Sequence, residues 1–356
     1  MQARLPVHAQ AVLEAGPTAQ ASATRAACAG PAVRCIPLCR PDPRHSIRAL
    51  WMHRSAELNF SNVFADHAVL QMAPAKAAVY GYVGASGRAL ASHTVAAGDA
   101  ARVSVTVSDD GHSNDAYAVD AVVDPHTGGW KALLRPTAAG GSFTITAECV
   151  AGCSGKAVLH DVTFGAVWFC AGQSNMALGL QHTYARNSTI KAIKNAAGGM
   201  GSDIRVTGLK GNMNIDQQWM KVADLVGEPS NATMPAYGEV PLDHFASTCL
   251  YFGISLYQGL SSPLRPLRSG DKAAPIPVGL VHTAWGGSGV ESWLPYDEIA
   301  HCRAGAIGDY DGVLHDTNVL PYLNMTFEGW TWYQGEANTG GADAHIHGNA
   351  GTASQP

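Results

Sequence analysis

The fold turns on Phe164-Gly165-Ala166-Val167-Trp168-Phe169-Cys170-Ala171-Gly172-Gln173-Ser174-Asn175-Met176. Phe164 to Cys170 is a mostly apolar run without the alternation of a half-buried strand. It therefore predicts a strand covered on both faces, as in a parallel sheet. The run gives way to a small polar loop around Gln173-Ser174-Asn175. Two later runs repeat that plan. Ile276 to Val281 leads into His282-Thr283-Ala284-Trp285-Gly286-Gly287-Ser288, and Trp330 to Tyr333 leads into Gln334-Gly335-Glu336-Ala337-Asn338. Between them, Phe245, Cys249, Phe252 and Leu256 recur at spacings of four, three and four, which predicts an amphipathic helix over 244–260. Strands separated by helices and loops imply crossover connections and an α/β domain from residue 161 onward. Ligands bind such sheets at the carboxyl ends of the strands. The three loops are thus expected to meet at one site.

Upstream the pattern changes. Residues 57–160 carry short runs of β type, including Ala78 to Val83, Ala101 to Val107 and Gly141 to Ala147, the last two alternating with period two. Asp109-Asp110-Gly111, Thr127-Gly128-Gly129 and Ala139-Gly140-Gly141 supply the turns. A small antiparallel β-sandwich is expected there. Residues 1–56 differ again, being rich in Arg, Ala and Pro and poor in acids. They are expected to be a disordered or leader segment, and no apolar core of a signal peptide follows the start.

Composition excludes several classes. The net charge is -5, from 28 acids against 23 bases, which argues against a nucleic-acid partner. No apolar run approaches the roughly 18 residues of a membrane-spanning helix. Eight cysteines are too few for a disulfide scaffold in 356 residues. Cys149 and Cys153 flank a short turn and suit either a bridge or two core thiols. Neither has a second Cys/His pair at zinc-finger spacing, so no metal site is expected. Four Asn-x-Ser/Thr sequons, at Asn59, Asn187, Asn231 and Asn324, fit a secretory route.

Each loop has a chemical reading beside a plain one. Ser174 follows a glycine by two residues, so a tight turn could project its hydroxyl from the sheet edge as a nucleophile. A serine after a strand also caps helices. Gly286-Gly287 could bring a backbone amide close to a reacting carbonyl, as an oxyanion hole requires, or could be an ordinary turn. Asn338 could donate its side-chain amide to the same oxyanion, or be a solvated loop residue.

Taken as an ordered set, these segments resemble the sialate O-acetylesterases, of the SGNH-hydrolase superfamily. The matches are Trp168 to Met176, Pro277 to Trp293 and Trp332 to Asn338, with Phe64 to Gln71 resembling the opening strand of the family's N-terminal β-domain. Phe245 to Leu256 resembles the helix before the glycine block. The resemblance implies a three-layer SGNH domain with a parallel sheet behind a small β-sandwich. It implies Ser174 as nucleophile, with its own amide, Gly287 (or Gly286) and Asn338 as oxyanion donors. Gln173, Gln334 and Glu336 become candidate substrate-binding or loop-positioning residues, Glu336 as a buried hydrogen-bond acceptor. No metal or cofactor is implied. The implied partner is an O-acetylated sialic acid or another acetylated carbohydrate, and the implied location is secreted or endomembrane.

The family takes its catalytic histidine from a downstream Asp-x-x-His segment. Here 18 residues follow Asn338, with Asp343, His345 and His347 but no Asp-x-x-His. The α/β domain over 161–356 is accordingly expected to be incomplete, with open sheet edges and exposed apolar surface, and the histidine base to be missing. His160, His244 and His282 are expected to be packing or hydrogen-bonding residues. His315-Asp316-Thr317-Asn318 also departs from the apolar helix of the family.

Overall fold

A computed structural model of the chain describes residues 57–84, 101–196, 199–208, 218–226, 240–262, 275–302 and 311–339. The leader reading of 1–56, the sequon at Asn231 and the histidines at 345 and 347 lie outside these residues. The first part of the chain forms β1 (Leu58–Phe60), β2 (Val69–Gln71), β3 (Ala78–Val83), β4 (Arg102–Asp109), β5 (His112–Asp120), β6 (Val122–Val123), β7 (Gly129–Leu133) and β8 (Gly140–Ala151). A long strand, β9 (Lys156–Gly172), follows, and then α1 (Ser174–Ala177), α2 (Arg186–Asn195) and α3 (Met200–Asp203). The remainder forms β10 (Ile204–Thr207), β11 (Met220–Lys221), α4 (Ser247–Leu260), β12 (Val278–His282), α5 (Tyr296–Cys302) and β13 (Gly329–Tyr333).

The chain is α/β, and its main sheet is mixed rather than purely parallel. Nine strands join in it, with the path β11-β10-β12-β9-β8-β4-β5, and β2 and β13 also on β9. The reason is the length of β9. Its first half pairs antiparallel with β8, and its second half, from Ala166 to Gly172, pairs parallel with β12 on one side and β13 on the other. Residue 160, where the sequence pattern changes, falls inside this strand. Strands β1, β3, β7 and β6 make a separate antiparallel sheet of four.

Phe164 to Cys170 behaves as its composition predicts. All but Trp168 are buried, because cores lie on both faces. On one face Val167 and Phe169 belong to a core that also holds Val79, Trp130, Tyr322 and Met325. On the other, Cys170 joins Ile190, Val206, Leu250 and Leu280. Helix α4 packs here through Cys249, Leu250, Gly253 and Tyr257. Gly253 lies at the contact with β12, where a Cβ would come within 2.5 Å of Leu280 Cδ1. A mid-helix glycine costs about 1 kcal/mol, and the close helix–sheet approach is what it allows.

Two disulfides are present among the described residues. Cys149–Cys153 closes the short turn at the end of β8. Cys170–Cys249 fastens the carboxyl half of β9 to α4 across 79 residues. Spacing alone could not give that second pairing, since connectivity is not readable from sequence. In the chain-entropy account, closing a loop of that size is worth roughly 4–5 kcal/mol.

Asp161 ties β9 to β10, β11 and the turn before β2. Its carboxylate accepts from His67 Nδ1 at 2.7 Å and from Lys221 Nζ at 2.7 Å, and lies 3.3 Å from Arg205. Strand β13, by contrast, pairs only with β9 among the described strands. Trp330, Trp332 and Tyr333 on it are each about half exposed. No helix among the described residues is long and apolar enough to cross a membrane.

Burial of Asp161 acts to raise its pKa, but the bonds from Lys221 and His67 and the charge of Arg205 outweigh it and hold the group at about 2. A carboxyl held below its unfolded value of 3.8 adds stability that is complete above that value and lost as the pH falls through about 2. Asp161→Asn should lower stability at neutral pH and flatten the acid limb between those two values. Urea melts across that pH range check this, and an unchanged limb would count against the network.

Candidate active site

Three loops converge on the carboxyl end of β9, and backbone bonds hold them there. Gly172 has φ 139°. A Cβ on it would lie 2.0 Å from the Tyr333 carbonyl oxygen, so only glycine lets β9 and β13 end this close together. The Gln173 amide then donates to Tyr333 O at 2.9 Å. From the other side, Thr283 N donates to Cys170 O at 3.0 Å and Trp285 N to Gly172 O at 2.9 Å. The loops after β9, β12 and β13 are thereby joined, as the strand-end argument expects.

Ser174 opens α1 and is exposed. It is not the helix cap: Gln173 holds that position, without a capping side-chain bond. Helix α1 is a single turn of four residues, too short to build an appreciable dipole at Ser174. The Ser174 hydroxyl makes no hydrogen bond among the described residues, to a histidine or to any other group. Gly286 sits beside it, with a built Cβ falling 3.9 Å from Ser174 Cα and Cβ. Gly287 takes a left-handed φ of 75° that favours glycine. These two glycines are exposed.

The side chains of Gln173, Gln334 and Asn338 lock the loops together. Gln173 is buried, and its Oε1 accepts from the Ala337 amide at 3.0 Å and the Gly335 amide at 3.4 Å. Backbone amides only donate, so the orientation of this carboxamide is fixed. Gln334 Nε2 faces Gln173 Oε1 at 3.2 Å, Ser288 O at 3.1 Å and Asn338 Oδ1 at 2.5 Å. One amide thus touches all three loops. Gln173 and Gln334 therefore act between loops in this structure. Glu336 departs from the expected burial: it is exposed, because its loop turns outward, and it accepts from the Asn175 side chain.

Several contributors were missed by the sequence reading. Glu291 accepts from Asn338 Nδ2 at 3.0 Å. Ser288 bridges Trp285 O and Trp293 Nε1. Asn318, in the π-helical turn His315–Val319, is buried and donates to Thr283 O at 2.6 Å. That bond gives the polar His315 to Asn318 stretch a structural reason. No histidine among the described residues is hydrogen-bonded to Ser174. His160 and His244 are exposed, and His282 is buried with Nδ1 donating to Gly208 O at 3.2 Å. Burial pulls the His282 pKa down to about 4, against the opposing pull of that bond. It is therefore neutral at pH 7. Among the described residues no group of histidines, cysteines and carboxylates could hold a metal ion.

No family model matches the chain. The sialate O-acetylesterases of Pongo abelii and Homo sapiens are each 28% identical to it, over 81% of this chain. The chain is similar in sequence to the sialate O-acetylesterases. The protein of that name from Rattus norvegicus is 25% identical over 78% of the chain. The chain spans about half the length of these relatives: 51% of the first two and 52% of the third. In fold it is similar to a carbohydrate acetylesterase from Xanthomonas citri, with a TM-score of 0.50 and 22% identity, over 79% of this chain and 51% of that one.

Gln173→Ala would leave the donors of Ala337, Gly335 and Gln334 without their shared acceptor. Unpaired buried donors cost about 1–3 kcal/mol. The variant should lose stability in that range in a urea melt, and hydrogen exchange should quicken at residues 334–338. Exchange there at the parent rate would show that the carboxamide does not hold the loop.

Proposed function

We propose that this chain is a serine esterase of the sialate O-acetylesterase type, hydrolysing O-acetyl esters of sialic acids. The single observation behind this reading is the exposed Ser174 at the end of β9, with Gly286 beside it and Asn338 tied into the same three loops. In this reading Ser174 Oγ attacks the acetyl carbonyl while a histidine outside the described residues takes its proton. The amides of Ser174 and Gly287 and the side chain of Asn338 donate to the oxyanion. The tetrahedral intermediate expels the sugar alkoxide, which takes the proton back from the histidine. Water then attacks the acyl-serine, releasing acetate and regenerating Ser174. A three-layer SGNH domain behind a small β-sandwich is the finer fold that goes with this chemistry. Acetylated xylan or another carbohydrate ester is the alternative substrate, because the loops hold the reacting group rather than the sugar.

A secretory or endomembrane location goes with the same reading. The sequons and the disulfides Cys149–Cys153 and Cys170–Cys249 support it, since such bridges persist in oxidising compartments.

One observation favours a second reading, a carbohydrate-binding pseudo-esterase: the Ser174 hydroxyl has no histidine partner among the described residues. Serine without a base is a poor nucleophile at neutral pH. The discriminating experiment incubates the parent chain and Ser174→Ala with a small acetyl ester, with O-acetylated sialic acid and with acetylated xylan. The esterase reading expects acetate from the parent and a loss of at least about a thousandfold in the variant. Glycan binding without acetate release in either protein would establish the second reading. Faster release from xylan would overturn the sialic acid assignment.

A further inference from the structure

Asn338 has three bonded contacts whose directions are forced. The Val290 backbone N–H donates to Oδ1 at 3.0 Å, and a backbone amide has no way to accept there. Nδ2 donates to Glu291 Oε2 at 3.0 Å, and an ionised carboxylate can only accept. Gln334 Nε2 gives Oδ1 its second bond, and the orientation of Gln334 is itself consistent with the two backbone amides on Gln173. The usual ambiguity between the oxygen and nitrogen of an amide is therefore removed at this position. Nδ2 carries two hydrogens. One is spent on Glu291, and the second has no protein acceptor among the described residues.

Glu291 is well placed to hold that arrangement. It lies on the turn Val290–Trp293, whose Trp293 is buried and donates to Ser288 Oγ at 2.9 Å. Its own carbonyl accepts from Gly312 at 3.0 Å. Gly289 leaves room for the carboxylate: a Cβ there would fall 2.7 Å from Glu291 Oε2 and 3.6 Å from Asn338 Nδ2. A side chain at 289 would crowd the carboxylate.

We infer that Glu291 is the positioning residue for Asn338, fixing one Nδ2 hydrogen so that the other is presented to the developing oxyanion. This rests on the esterase reading for what the second hydrogen meets, whereas the holding of the amide by Glu291 stands apart from it. An amide fixed on three sides needs no reorientation as charge develops, which is the condition for strong oxyanion stabilisation. The carboxylate also polarises the amide it accepts from, since charge-assisted hydrogen bonds are the stronger kind.

The test reads the amide directly. In the 15N-labelled full chain, the Asn338 side-chain signals are identified by their loss in Asn338→Ala. Glu291→Leu should move both Nδ2 proton signals toward free-amide positions and speed their exchange with water by about tenfold or more. Glu291→Gln, whose Oε1 can still accept, should stay near the parent. If the leucine variant does not fold, Glu291→Asp withdraws the carboxylate by one methylene and carries the same expectation. Unchanged Asn338 signals and exchange in a folded Glu291→Leu or Glu291→Asp chain would overturn the inference. If the parent releases acetate, Glu291→Leu should lower kcat by about tenfold or more at nearly constant KM, as misplacement of a transition-state donor requires. A parent inactive in that assay would sink the esterase reading, and the Asn338 signals would still decide the role of Glu291.

Discussion

At Gly172 the backbone of β9 meets the end of β13 with no room for a side chain. The whole candidate site hangs on that approach. It brings Tyr333 O within reach of the Gln173 amide, and so sets the Ser174 turn directly against the loop that carries Gln334 and Asn338. The glycine loop after β12 is bonded to the same short piece of β9, through Cys170 and Gly172. A larger residue at 172 would have to move one strand end away from the other, and the bonds between the loops would go with it.

Around that approach the protein uses carboxamides where the chain must be held and charges where strands must be tied. Gln173 accepts from two backbone amides of the loop after β13, and Gln334 donates to the Ser288 carbonyl of the loop after β12, both without placing a charge there. Asp161 works differently, gathering Lys221, Arg205 and His67 around one carboxylate at the middle of the sheet. The buried Arg186–Asp243 pair, bidentate at 2.6 and 2.7 Å, does the same for α2 and the turn before α4. Breaking a buried pair of this kind by removing one partner costs about 3–5 kcal/mol.

Much of this was legible in the sequence. Three apolar runs ending in small polar loops gave the strands and their convergence, because burial on both faces leaves a recognisable composition. The helix over 244–260 was legible from its spacing, although its buried stripe includes Gly253, which no hydropathy pattern marks. The joining of the two regions through one 17-residue strand was not legible, because the change of pattern near residue 160 reads as a boundary and not as a change of partners within one strand. The Cys170–Cys249 bridge was hidden for a similar reason: each cysteine reads as an apolar residue in its own element. Glu291 and Asn318 went unseen because their partners, Asn338 and Thr283, are distant in sequence and only the fold brings them near.

On its side away from β9, β13 has no partner strand among the described residues. Gly329 to Tyr333 contains no charge and no proline, and its outer backbone groups offer a ladder to any extended chain that arrives. Trp330, Trp332 and Tyr333 add apolar surface beside that ladder. Glu328 and Glu336 bracket the strand and act as gatekeepers, repelling a second copy that tries to stack in register.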